Sequence, residues 1–126
     1  MTCEAKRPAA PTRSARDLDV YRLAIEVVGE VGQVFPALAG WDRDLVSQMR
    51  RAVASVPLNL AEGLQRIGRD REHLLGVALG SAAEVRAILN VAAAAGTLGT
   101  KSHAALDAKL DRVCAMAYRL RGRRGW

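Results

Sequence analysis

Two glutamates with polar neighbours at helical spacing are the features of this chain that invite a chemical reading. Gln48, Ser55, Asn59, Glu62 and Arg66 recur so that they share one narrow face of a helix. Glu84 shares a second helical face with Val77, Ser81, Ile88 and Val91, which sets a carboxylate among apolar and small side chains. A carboxylate in such surroundings needs a partner or a raised pKa. Arg51, Arg66 and Asn59 are its candidate partners, and an ion pair or hydrogen-bonded cluster is the expected arrangement, ahead of acid–base catalysis.

Other catalytic patterns fail on residue count. A di-iron bundle needs Glu-x-x-His pairs, but Glu62, Glu72 and Glu84 are followed three residues later by Gln65, Leu75 and Ala87. The two histidines, His73 and His103, fall near helix starts and read as exposed, and zinc would need more Cys and His than the chain has. No glycine-rich phosphate loop of the strand–turn–helix kind occurs. Cys3 and Cys114 imply no disulfide framework, and Cys114, without a histidine near it in sequence, reads as a small core or interface residue. The expectation is no enzyme, no cofactor and no metal.

Four amphipathic segments must position these residues. The first, opening at Asp17 or Asp19, has the stripe Val20, Ala24, Val27, Val31 and Val34 and is closed by Pro36 and Gly40. Asp42 or Asp44 caps the second, with Leu45, Met49, Val53, Val56, Leu60 and Leu64, which Gly68 ends. Asp70 starts the third, whose inward residues are Leu74, Ala78, Ala82, Val85 and Leu89; Gly96 and Gly99 break it. Ser102 caps the fourth, with Leu106, Leu110, Val113, Ala117 and Leu120 on one face. No segment alternates with period two, so the fold class is all-α, an antiparallel up-down four-helix bundle. Pro57 lies inside the second segment, lacks an N–H for the carbonyl of Val53, and predicts a kink rather than a break because the stripe keeps its phase across it.

At 126 residues the chain fits one domain. Residues 1–16 form a Pro/Ala/Arg-rich basic tail expected to be disordered, 17–120 the bundle and 121–126 a second basic tail. The net charge is +6. Residues 1–16 hold Lys6, Arg7, Arg13 and Arg16 against Glu4, a net +3, and residues 119–126 hold Arg119, Arg121, Arg123 and Arg124, a net +4. The remaining body, 17–118, is therefore at −1. Tails of this kind either hold phosphates through charge or serve only as solvated ends. The longest uncharged stretch, residues 87–100, is shorter than the roughly 20 apolar residues of a bilayer span, and the N-terminus lacks the apolar core of a signal peptide. The expected place is the cytoplasm, with no membrane association.

The stretch Gln48-Met-Arg-Arg-Ala-Val-Ala-Ser-Val-Pro-Leu-Asn-Leu-Ala-Glu-Gly63 resembles the signature of the large-subunit rRNA intervening-sequence proteins, also called the four-helix bundle protein family. Ala78-Leu-Gly-Ser-Ala-Ala-Glu84, the later Gly96-x-Leu98 and the early Leu18-x-Val20-Tyr21 with Ala24 fit the same family. The resemblance covers about residues 17–120. It implies a ring-forming bundle, typically a homopentamer, with a polar constellation at Gln48, Arg51, Ser55, Asn59, Glu62 and Glu84. It also implies an RNA connection, and similar bundles are accessory proteins of reverse transcriptases in diversity-generating elements. Where many relatives carry a basic or aromatic-rich segment after Glu-Gly, this chain has Leu64-Gln65-Arg66-Ile67-Gly68-Arg69, which offers charge without a stacking aromatic.

Two functions of different kinds follow. One is an oligomeric nucleic-acid-binding or ribonucleoprotein accessory module, touching RNA or DNA phosphates through Arg50, Arg66, Arg69, Arg71, Arg121, Arg123 and Arg124, with weak contacts multiplied around a ring. The other is a scaffold ring that docks a protein partner and has no nucleic-acid role, as the near-neutral body suggests.

Overall fold

Helices account for almost all of residues 15–122, which are the residues the computed structural model describes. Among them are five helices and no strand: α1 (Ala15–Gly32), α2 (Phe35–Trp41), α3 (Arg43–Gly63), α4 (Gly68–Ala94) and α5 (Thr100–Arg121). Residues 1–14 and 123–126, and with them Cys3, Arg123, Arg124 and nearly all of both basic tails, lie outside the described residues.

Local chemistry explains most of the boundaries. Pro36 does not close one long first helix; α1 stops at Gly32 and a separate seven-residue helix follows, bent 50° away. A proline at position 36 of a continued α1 would crowd the carbonyl of Gly32 and offer it no N–H, whereas in the first turn of α2 the missing N–H has no intrahelical partner to lose. Asp42, between α2 and α3, caps α3: its Oδ1 accepts from the backbone N–H of Asp44 at 2.9 Å and of Leu45 at 3.2 Å. Helix α3 then runs unbroken through Pro57.

The expected starts of the last two long helices are corrected. Gly68 opens α4 rather than ending the helix before it; its φ of +64° is one that glycine adopts freely, so it turns the chain between α3 and α4. Asp70 therefore sits in the first turn of α4, not at its cap. Helix α5 begins at Thr100 with Gly99 in the cap position and no side chain capping it, so Ser102 lies within the first turn. Between them, α4 closes in a Schellman arrangement around Gly96 (φ +83°), with Thr97 N donating to Ala92 O at 2.9 Å and Gly96 N to Ala93 O at 3.1 Å.

Each long helix packs along two others: α1 and α4 both lie against α3 and α5, and α2 packs on α3. The core between them is built from Val20, Val27, Val31, Leu38, Met49, Leu60, Leu75, Val85, Leu89, Leu110 and Val113, all essentially inaccessible to solvent. In the first turns of α4 the deeply buried leucine is Leu75, with Leu74 only half-buried. That shift lets Leu75 press against Gly63, where an added Cβ would meet Leu75 Cδ2 at 2.9 Å and Leu74 Cβ at 3.0 Å. Helix α4 also has the length and composition of a bilayer span; its Leu75, Ala78, Ala82, Val85, Ile88, Leu89 and Ala92 face the core.

Side-chain contacts fix the direction of each pair. Ser55 meets Ser81, and Gly63 meets Leu75, so α3 and α4 run oppositely. Arg86 meets Asp107 while Arg121 reaches the carbonyl of Glu72, so α4 and α5 do too. Lys109 pairs with Glu26 and Glu30, and Glu30 and Gln33 line a cleft with Ser102 and Ala105; α1 and α5 are therefore antiparallel as well. It follows that the start of α1, the α3–α4 turn and the end of α5 share one end of the molecule.

Candidate functional site

The polar face of α3 is drawn only partly into one cluster. Ser55 Oγ and Ser81 Oγ are 2.7 Å apart, and Asn59 Nδ2 donates to Ser55 Oγ and to the carbonyl of Ser55, each at 2.9 Å. This triad stitches α3 to α4 through hydroxyls and an amide, groups small enough to satisfy one another at a close helix contact. Glu62 instead pairs with Arg66, in the turn that follows its helix, at 3.0 Å, and Arg66 also lies 3.6 Å from Asp70. Gln48 and Arg51 are exposed and make no hydrogen bond or ion pair among the described residues.

Glu84 departs furthest from expectation. It is not buried: it faces outward, without an ion pair to Arg51, Arg66 or any other described residue. Of the residues expected to share its face, Val77 and Val91 are exposed too, whereas Ile88 is buried in the core and Ser81 meets Ser55 of α3. The apolar surroundings read from sequence are thus split between the core and the outer surface of α4, and Glu84 lies on the outer side.

The charged cluster that does form lies on the other flank of α4 and was not singled out from the sequence. Arg86 grips Asp107 with two hydrogen bonds, Nε to Oδ1 at 2.9 Å and Nη2 to Oδ2 at 3.0 Å, and Nη1 reaches Asp111 at 3.3 Å. The Arg86 hydrogen bonds hold the Asp107 carboxyl below its ordinary range, and Asp107 in turn raises the Arg86 pKa. Half-buried Cys114 stands beside this pair; burial pushes its thiol up, outweighing the pull of Arg86, so it is a protonated, weakly nucleophilic thiol at neutral pH. Nearby His103 Nε2 and Asn90 Oδ1 are 2.8 Å apart. On α1, hydrogen bonds to Glu26 and Glu30 raise the pKa of Lys109, and Lys109 lowers that of Glu26. These are links between helices.

The remaining arginines divide by location. Arg50 is exposed on α3, away from the others. Arg66, Arg69 and Arg71 flank the α3–α4 turn, and Arg119 and Arg121 end α5 beside it. Two contacts close this end: Arg71 Nε donates to Leu120 O and Arg121 Nε to Glu72 O, both at 3.0 Å. Arg69 and Arg119 are exposed and unpaired among the described residues. Tyr118, the residue that sequence reasoning passed over, stands among them at 68% exposure. Its signal was available, since it falls outside the α5 stripe of Leu110, Val113, Ala117 and Leu120.

At the opposite end, an open cleft of about 480 Å³ is lined by Gln33, Val34, Thr97, Leu98 and Ser102 among others. No group of three or more His, Cys, Asp or Glu among the described residues is placed to hold a metal ion.

The profile of the 23S rRNA-intervening sequence proteins matches residues 16–119, all five helices save the first residue of α1 and the last two of α5. The chain belongs to that family. A crystal structure of a protein of unknown function from the S23 ribosomal protein family of Bacteroides thetaiotaomicron has the same fold: the TM-score is 0.76 at 16% identity, over 86% of this chain and 99% of that one. No curated protein matches the chain significantly. As an intervening-sequence protein the chain carries the polar α3 face of its motif with Ser55 and Asn59 turned to Ser81, and with Arg51 and Glu84 left on the surface.

Proposed function

We propose that this protein is a non-enzymatic, oligomeric accessory module that binds nucleic acid or a ribonucleoprotein through one end of each subunit. The observation that carries this reading is where the charge is anchored. Ala15 and Gly122, from which the two basic terminal segments extend, lie at the same end as Arg66, Arg69, Arg71, Arg119 and Arg121. A chain whose body is near neutral thus attaches all of its positive excess to one pole. Exposed Tyr118 adds a flat ring among the arginines, on which a base can stack. The family's description, 23S rRNA-intervening sequence protein, supports a link to RNA.

In this reading the four long helices are an antiparallel up-down bundle, α3 bends at Pro57, and copies assemble as a ring, a pentamer by family resemblance. The module works in the cytoplasm without cofactor or membrane. Arg66, Arg71 and Arg121 already serve carboxylates or carbonyls within the chain, which favours a second reading, a scaffold for a protein partner.

The deciding experiment is a titration of the full-length protein against structured RNA and duplex DNA at several salt concentrations. The accessory-module reading expects log affinity to fall linearly with log salt, and a slope reduced by one to two in an Arg69→Glu/Arg119→Glu variant. Tyr118→Ala should weaken single-stranded binding while leaving the slope alone. No binding at low salt would sink this reading in favour of the protein scaffold.

A further inference from the structure

Gly29 in α1 and Gly80 in α4 answer to nothing among the described residues. Glycine is a poor helix former, and within a helix it is usually explained by a close neighbour. Gly63 and Gly76 have such neighbours, since a Cβ there would run into Leu75 and the Arg121 guanidinium respectively. A Cβ on Gly29 or Gly80 would meet nothing within 4 Å.

Both glycines lie on outward helix faces that also expose large apolar residues. On α1, Leu18, Arg22, Ile25 and Gly29 form one line, with Leu18 and Ile25 43% and 46% exposed. On α4, Val77, Gly80, Glu84, Ala87 and Val91 form another, with Val77 and Val91 37% and 41% exposed. Because α1 and α4 each pack on both α3 and α5, these two faces lie on opposite sides of the molecule. Each has a single charge near its middle, Arg22 on one and Glu84 on the other, exposed and without an ion pair among the described residues.

The geometry points to one occupant for both faces, a second copy of this chain: we propose that α1 of one subunit lies parallel along α4 of the next, with Arg22 paired to Glu84. Aligning those two charges sets Leu18 opposite Gly80 and Val91 opposite Gly29, so that an apolar side chain meets open space in both directions. Ile25 then falls opposite Ala87. The contact is head-to-tail, since the two faces differ, and a contact of that kind closes into a ring or propagates. The inference rests on the oligomeric part of the proposed function and names the surfaces that part leaves open.

The test is the solution mass of the full-length protein by light scattering and sedimentation, for wild type, Glu84→Arg, Arg22→Glu, the double variant and Gly80→Leu. Wild type is expected at a discrete multiple of 13.5 kDa. Each single charge reversal should weaken assembly at least ten-fold, and the double variant, which restores opposite charges, should regain it. Gly80→Leu, which has room within one chain, should keep its helical circular dichroism and lose assembly. A wild-type oligomer indifferent to all four variants would overturn this interface while leaving the oligomeric reading intact. Loss in both single variants without recovery in the double would overturn the Arg22–Glu84 pairing. A wild-type mass of 13.5 kDa would overturn the interface and the oligomeric reading together, without bearing on nucleic-acid binding.

Discussion

Arg86 and Glu84 are two residues apart on α4 and lead different lives. Arg86 leans toward α5, is gripped by Asp107 through two hydrogen bonds and touches Asp111. Glu84 points away from every neighbouring helix and pairs with no described residue. The charge on one flank is used up in joining helices; the charge on the other remains for whatever meets the outer surface. Helix α3 repeats the pattern, with Ser55 and Asn59 turned to α4 and Arg51 left on the surface. A charged residue in a helix therefore says little about function until its side of the helix is known.

Substitutions along α4 can break or sharpen this contrast. The core between the flanks sets the scale: Leu89→Ala is expected to cost about 2–5 kcal/mol in urea unfolding, because Leu89 is fully buried and the site cannot collapse around the loss. Gly63→Ala should cost about 1–2 kcal/mol in the same assay, since its Cβ must displace Leu74 and Leu75 across the α3–α4 contact.

On the paired flank, Arg86→Ala should cost about 1–2 kcal/mol, because Asp107 and Asp111 are left facing each other without their cation. The pH dependence has a definite sign. Asp107 has a folded pKa depressed below the ordinary 3.8, so its contribution is fully present above the unfolded value and is lost as pH falls through the depressed one. The stability difference between wild type and Asp107→Asn should accordingly shrink in acid and be constant from pH 6 to 8. On the outer flank, Glu84→Gln should change the stability of a single chain by no more than about 0.5 kcal/mol. A loss there as large as that of Arg86→Ala, measured where the protein is monomeric, would erase the contrast.

Much of the fold is legible in local patterns. The core stripes of α1, α3 and α5 are buried where the 3.6-residue period puts them, save for Leu45, which is only partly buried at the start of α3, and Asp42 caps α3 because a carboxylate two and three residues before free N–H groups needs no tertiary help. The misread boundaries share a cause. Pro36 and Gly68 each punctuate the chain, but proline both ends and starts helices, and a glycine with positive φ joins two helices as readily as it finishes one. Leu75 displaced Leu74 from the core because the rotation of α4 is set by its neighbour, Gly63, twelve residues earlier. The candidate site was less legible. Ser55 and Asn59 stood out by spacing, but their partner Ser81 is 26 residues from Ser55 and depends on the α3–α4 register.

By itself the sequence determined that this chain is helical, where its apolar stripes run and that its positive excess sits at its two ends, since helical period, capping and charge are properties of neighbours along the chain. Only the tertiary structure decided that Ala15, Gly122 and the arginines of the α3–α4 turn share one pole, that Arg86 rather than Glu84 finds a partner, and that Gly29 and Gly80 face open space. Those outcomes depend on the direction, register and rotation of helices far apart in sequence, which are settled by packing the core and not by any single segment.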